Sequence, residues 1–172
     1  METFLSTILR WPLVEGYFRA YDWAWPLNET VHFVGLTLLI GIVGMFDLRL
    51  LGVAKEIPVK SLRRLLPWGI LGFVLVTASG LMFTTGIYAN IRVPPYEVLT
   101  NDGYLQLKLT FYFLAGMNLF AFHVSGISGA VDELGPGEDA PPLAKIFAGT
   151  SLFFWVAVLY FGRLIPWGQF SS

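Results

Sequence analysis

Apolar residues gather into four long runs, at about residues 30–51, 66–88, 104–126 and 144–165, separated by short polar stretches. Each run approaches or exceeds the roughly 20 apolar residues that a helix needs to cross hydrocarbon. Lipid offers a backbone no hydrogen bonds, so such runs are expected as helices. The first opens on Asn28-Glu29-Thr30, which reads as a helix cap, and closes on Asp47-Leu48-Arg49; the second begins at Pro67-Trp68. Between the runs lie turn-forming clusters: Pro94-Pro95 and Asn101-Asp102-Gly103 in 89–103, then Gly135-Pro136-Gly137 and Pro141-Pro142 in 127–142. The latter segment is expected to be a flexible loop. Gly35, Gly41 and Gly44 in the first run, and Gly69, Gly72, Ser79 and Gly80 in the second, predict close packing of these two spans. The pattern predicts an all-α membrane protein, an up-and-down bundle of four transmembrane helices.

Residues 1–26 follow a different rhythm. Leu13, Val14, Tyr17, Phe18 and Tyr21 recur at helical spacing, with Glu15, Arg19 and Asp22 between them. Pro12 suits a helix start, and Pro26 is expected to separate this segment from the first span. Trp11, Trp23 and Trp25 favour the headgroup level. This reads as an N-terminal amphipathic interfacial helix, or as a packed cap over the bundle. The chain thus divides into an interfacial segment, 1–26, and a transmembrane domain, 27–168.

Composition narrows the function classes. The 172 residues are 55% hydrophobic, with a net charge of −1 and no cysteine. The charge argues against nucleic acid as a partner. Without cysteine there is no disulfide, iron–sulfur cluster or covalently attached haem. Met1 to Arg10 lacks the layout of a cleavable signal peptide, so the first span is expected to direct insertion. Lys55, Lys60, Arg63 and Arg64 crowd the first inter-span loop, whereas the second carries only Arg92. The positive-inside rule then places the first loop in the cytoplasm and both termini outside.

Both histidines, His32 and His123, fall inside apolar runs. An imidazole there marks a cofactor, a proton path or a buried polar contact. Spans one and three run in the same direction, with His32 at the start of one and His123 near the end of the other. At 1.5 Å per residue their depths differ by something on the order of 24 Å. Axial ligands of one haem lie only about 4 Å apart, so the two cannot share a haem within one protomer. Two b-type haem sites would pair His32 with Met82 and His123 with Met45, each methionine being within about a turn of its histidine's depth. Tyr112, Gly116 and His123 share a helical face. Glu29-x-x-His32 has the spacing of a metal-ligand unit, enough for a single divalent or copper ion but not for a di-iron site, which needs two such units. The remaining polar residues sort by depth: Glu29, His32, Lys108 and Arg163 at the outer end, and Asp47, Arg49, Asn118 and His123 at the inner. Each set reads as a quinone headgroup site or proton relay, or simply as side chains snorkelling from helix ends.

Glu29-Thr30-Val31-His32, Asp47-Leu48-Arg49-Leu50-Leu51, Phe122-His123 and Gly162-Arg163 together resemble a family of small bacterial inner-membrane proteins with four spans. The resemblance covers roughly residues 11–167 and implies the architecture and a bacterial inner (cytoplasmic) membrane location more than an activity. A fainter likeness to cytochrome b561-type and copper-resistance membrane proteins implies redox or metal work. The expected function is a redox or cofactor-binding module for haem b, quinone or a metal ion, with separate sites near His32 and His123. The alternatives are a non-catalytic anchor or accessory subunit, and an oligomeric transporter of a small solute or ion. The expected partners are the lipid bilayer and either other membrane subunits or further copies of the chain.

Overall fold

The computed structural model describes residues 8–168, so the first seven residues of the interfacial segment lie outside the described residues. In order, the helices are α1 (Pro12–Ala20), α2 (Ala24–Leu51), α3 (Val59–Arg63), α4 (Leu66–Gly86), α5 (Tyr88–Ile91), α6 (Pro95–Asn101), α7 (Gly103–Val124), α8 (Ile127–Asp132) and α9 (Pro142–Leu164). Among the described residues there is no strand. Four helices, α2, α4, α7 and α9, are long and apolar enough to cross a membrane. The chain is a multi-pass integral membrane protein built as an all-α four-helix bundle.

The first span begins earlier than its sequence suggests. α2 starts at Ala24, which places Pro26 in its first turn and Asn28-Glu29-Thr30 inside the helix. A first-turn backbone N–H has no partner within the helix, so proline there costs nothing. The break falls instead at Tyr21, whose backbone is extended. α2 ends at Gly52 in the left-handed conformation (φ 94), and the Val53 N–H reaches back 3.0 Å to the Leu48 carbonyl.

α2 and α4 pack most tightly, backbone against backbone. A Cβ added to Gly72 would lie 2.7 Å from the Leu39 nitrogen and 2.8 Å from the Gly35 carbonyl oxygen. Only glycine permits this approach. α1 folds over the far end of the same pair. The Phe18 ring packs on Trp25 (centroids 5.0 Å), and Trp25 on Phe83 (4.9 Å). Arg10 Nε donates 2.6 Å to the buried Glu15 carboxylate and the guanidinium lies over the Tyr88 ring. Leu13 and Trp23 stay exposed. The short helix therefore packs its inner face on the bundle as a cap and leaves its outer face, with Leu13, exposed.

α7 and α9 form the second hairpin. Phe111 stacks on Phe161 at 5.6 Å, and Asn118 Nδ2 donates 3.0 Å to the Phe147 carbonyl. α9 joins the hairpins by packing on α2, with Leu39, Ala115, Trp155 and Val158 in the central core. α4 and α7 meet mainly at one point, where Phe73 stacks on Tyr112 and Thr77 bonds to its hydroxyl. That side of the bundle stays open.

The 127–142 segment, expected as a flexible loop, is structured. Arg49, wholly buried, donates to the carbonyls of Ile57 (2.5 Å), Gly135 (2.8 Å) and Glu138 (3.2 Å). The Gly137 N–H bonds to the Lys55 carbonyl at 3.0 Å. Asp139 bridges Lys55 and Lys145, and Arg63 pairs with Asp132. These contacts zip the 52–58 and 133–141 loops into one cap at the end of the bundle opposite α1.

Candidate functional site

Because the two hairpins part between α4 and α7, a groove of about 550 Å³ opens there. α2 and α9 form its floor, and it runs toward the zipped loops. Its rim residues Ile70, Phe113, Met117 and Leu119 are exposed on the outer surface of the bundle, where lipid lies. Deeper in, Phe46, Phe73, Tyr112 and Trp155 supply aromatic walls. Trp155 meets Tyr112 edge to face, with centroids 5.9 Å apart.

The polar atoms on this lining are few and unevenly satisfied. Asp47 is 6% exposed, Ser151 is the polar group facing it, and its Oδ2 is buried without a hydrogen-bond partner. The expected inner cluster of Asp47 with Arg49 does not form. Two residues apart on a helix are about 200° apart around it, so Arg49 turns to the loops while Asp47 turns to the groove. Tyr112 and Thr77 share a 2.7 Å hydrogen bond, and Thr77 donates its own hydrogen to the Phe73 carbonyl. The Tyr112 hydroxyl is thus the donor to Thr77. Asn118 accepts from Thr150 and donates to Phe147. Arg63 lines the loop end of the groove, and its Nε is buried without a partner although Asp132 holds the guanidinium.

His123 lies on the rim of this groove, with Nδ1 3.0 Å from the Leu119 carbonyl. A carbonyl only accepts, so Nδ1 carries the hydrogen and the neutral ring presents Nε2 as an acceptor. Met45 is 44% exposed on α2 and does not line the groove, so the structure does not bring it to His123. Tyr112 and Gly116 do line the groove with His123.

His32 occupies a separate setting. Its Nδ1 donates 2.8 Å to Ser79 Oγ, which in turn donates 2.5 Å to the Leu75 carbonyl. Asn28 Nδ2 reaches the Ser79 carbonyl at 3.0 Å, and the Phe83 ring stands edge-on to the imidazole. His32 is thereby a buried polar tie between α2 and α4. Met82 is partly exposed on α4. Glu29 is exposed and accepts from the Trp25 indole at 3.2 Å, while His32 turns inward. Among the described residues no group of three or more His, Asp and Glu side chains could hold a metal ion. Arg163 is exposed in the last turn of α9, and Lys108 lies beside Gly162.

Ser151 and Trp155 escaped the sequence reading. The available signal was Trp155 itself, a tryptophan in mid-span rather than at the interface where that residue gathers. No family model, curated protein or solved structure matches the chain. Fold and groove together define a four-span integral membrane protein with a laterally open, acid-bearing groove.

Proposed function

We propose that this protein is a membrane-embedded redox module that binds a quinone-class amphiphile in the groove between α4 and α7. The observation that carries this reading is Asp47, an acid buried on a mostly apolar lining with one oxygen left unpaired. An unsatisfied buried polar atom costs about 1–3 kcal/mol, and a ligand headgroup would satisfy it. The volume falls within the range of roughly 300–1,000 Å³ typical of small-molecule sites. The exposed apolar rim admits an isoprenoid tail from the bilayer, and the aromatic walls suit a flat ring.

The side chains favour quinone over haem b. His123 presents a free nitrogen, but Met45 lies elsewhere, and His32 is engaged by Ser79 at a helix contact. A single metal ion on Glu29 and His32 has still less support, since the two side chains face different surroundings.

Titrating a short-chain quinone into the detergent-solubilised protein tests the proposal, with tryptophan fluorescence as the readout. Saturable quenching that diminishes in Trp155→Phe is expected. Quenching that is linear in quinone, or identical in that variant, would overturn it. A visible absorption spectrum of the same sample reports haem, and a Soret band lost in His123→Ala would redirect the reading to that cofactor.

A further inference from the structure

We propose that the protein binds one aminophospholipid, its headgroup bearing a primary amine and a phosphate, in the cleft between α3 and the end of α8. This cleft holds about 430 Å³ and adjoins the loop end of the groove, since Arg63 lines both. Its charged lining divides in two. Lys60 and Arg63 stand one turn apart on α3 and so share a face of that helix, while Asp132 and Glu133 follow one another where α8 ends. The ion pair between Arg63 and Asp132 joins the basic half to the acidic half. That pair leaves one charge over on each side: Lys60 and Glu133 are exposed, and neither has an ion-pair partner among the described residues. Arg63 Nε, buried without a hydrogen-bond partner, is a further donor on the basic side.

The four charges cancel, so the lining suits a ligand that carries both signs. A phosphate meets Lys60 and the free Arg63 hydrogen, and an ammonium meets Glu133 beside Asp132. A primary ammonium has three hydrogens to donate, as in lysine, whereas a trimethylammonium has none. An anionic headgroup would gain the bases but face two acids at the same range, where like charges repel. Placement favours a lipid over a soluble molecule. Arg63 lies just before α4, and Trp68 in the first turn of α4 is exposed, at a level where tryptophan gathers beside headgroups. From Arg63 the exposed apolar rim at Ile70 and Met117 leads into the hydrocarbon, so an acyl chain can follow it. Pro58 and Leu134 line the cleft as apolar contacts for the glycerol backbone. The chain needs only the rim, so this site stands whether or not a quinone binds deeper in the groove.

Native mass spectrometry of the whole protein in mild detergent tests this, with phosphatidylethanolamine, phosphatidylcholine and phosphatidylglycerol of identical chains titrated in turn. The ethanolamine lipid is expected to be retained as a single copy at about fivefold lower concentration than either of the others, the gain from two partly exposed charge contacts. Glu133→Gln should remove its advantage over the choline lipid, and Lys60→Gln should weaken retention of both. Neither side chain is buried or paired, so both variants should fold as the parent does. Equal retention of the three lipids, or an unchanged preference in Glu133→Gln, would overturn the proposal. Tighter retention of the glycerol lipid would overturn it too, marking a plain basic surface. Displacement by water-soluble glycerophosphoethanolamine at the same concentration would overturn the assignment to a membrane lipid. None of these outcomes bears on the groove ligand, which the quinone titration reads separately.

Discussion

Replacing Arg49 with methionine keeps the apolar stem of the side chain and deletes three hydrogen bonds to the loops. Those bonds run to Ile57, Gly135 and Glu138, and the parent side chain is 0% exposed. Each bond from a charged donor contributes roughly 1.5–3 kcal/mol, giving a gross loss of several kcal/mol. Removing the guanidinium also relieves its desolvation penalty, of order several kcal/mol for a buried ion. Three carbonyls are left without their donor, which tips the balance toward a net loss of about 3 kcal/mol, or roughly 150-fold in the opening of the cap. The loss should be local, because the spans keep their own backbone bonds and Gly137 still reaches Lys55. Hydrogen exchange of the protein in micelles reads this directly: amides in 53–58 and 133–141 should exchange about two orders of magnitude faster, with the centres of α2 and α9 unchanged. Arg49→Lys should recover only part of the protection, since an ammonium cannot fan out to three carbonyls as the planar fork does. Unchanged loop protection in Arg49→Met would refute the latch, and so would a uniform loss across the spans.

Gly72→Val should separate α2 from α4 and lower the stability by about 1–3 kcal/mol through overpacking, whereas Gly116→Ala, with nothing within 4 Å of the added Cβ, should be neutral; thermal unfolding followed by circular dichroism distinguishes them. His32→Ala should cost about 1–2 kcal/mol by orphaning its side of the Ser79 bond while leaving groove ligands bound as before; a loss of groove binding equal to that of Asp47→Asn would contradict the separation of the two sites. Lys55, followed by Lys145, holds the Asp139 carboxyl below the usual carboxylate range. Its contribution to the loop cap is therefore complete above the ordinary carboxylate value near 4 and is lost as pH falls below that. Exchange of the 133–141 amides should accelerate in that acid window, and Asp139→Asn should remove the step.

The four spans were legible because lipid leaves a backbone no alternative to internal hydrogen bonding, so length and apolarity alone nearly determine the helix. Close packing of the first two spans was legible for a related reason: glycines at Gly35 and Gly72 have little to contribute in a membrane except proximity. Pro26 was misread because a proline ends a helix or begins one according to a shift of a few residues, and local sequence does not fix that shift. The 127–142 segment was misread because its order comes from Arg49 and Lys55, which are remote in the chain.

By itself the sequence determined a multi-pass α-helical membrane protein with small residues between its first two helices. It also placed the two histidines in opposite halves of the bundle, since the rise per residue converts position into depth. Rotation about each helix axis was beyond it, and rotation decides which polar groups meet. Only the tertiary structure turned Arg49 to the loops and Asp47 to the groove, joined His32 to Ser79, and left Met45 on the outer surface. The physical reason is that a membrane helix is apolar on every side. Hydrophobic periodicity then no longer marks the inward face, and contacts between helices settle it instead.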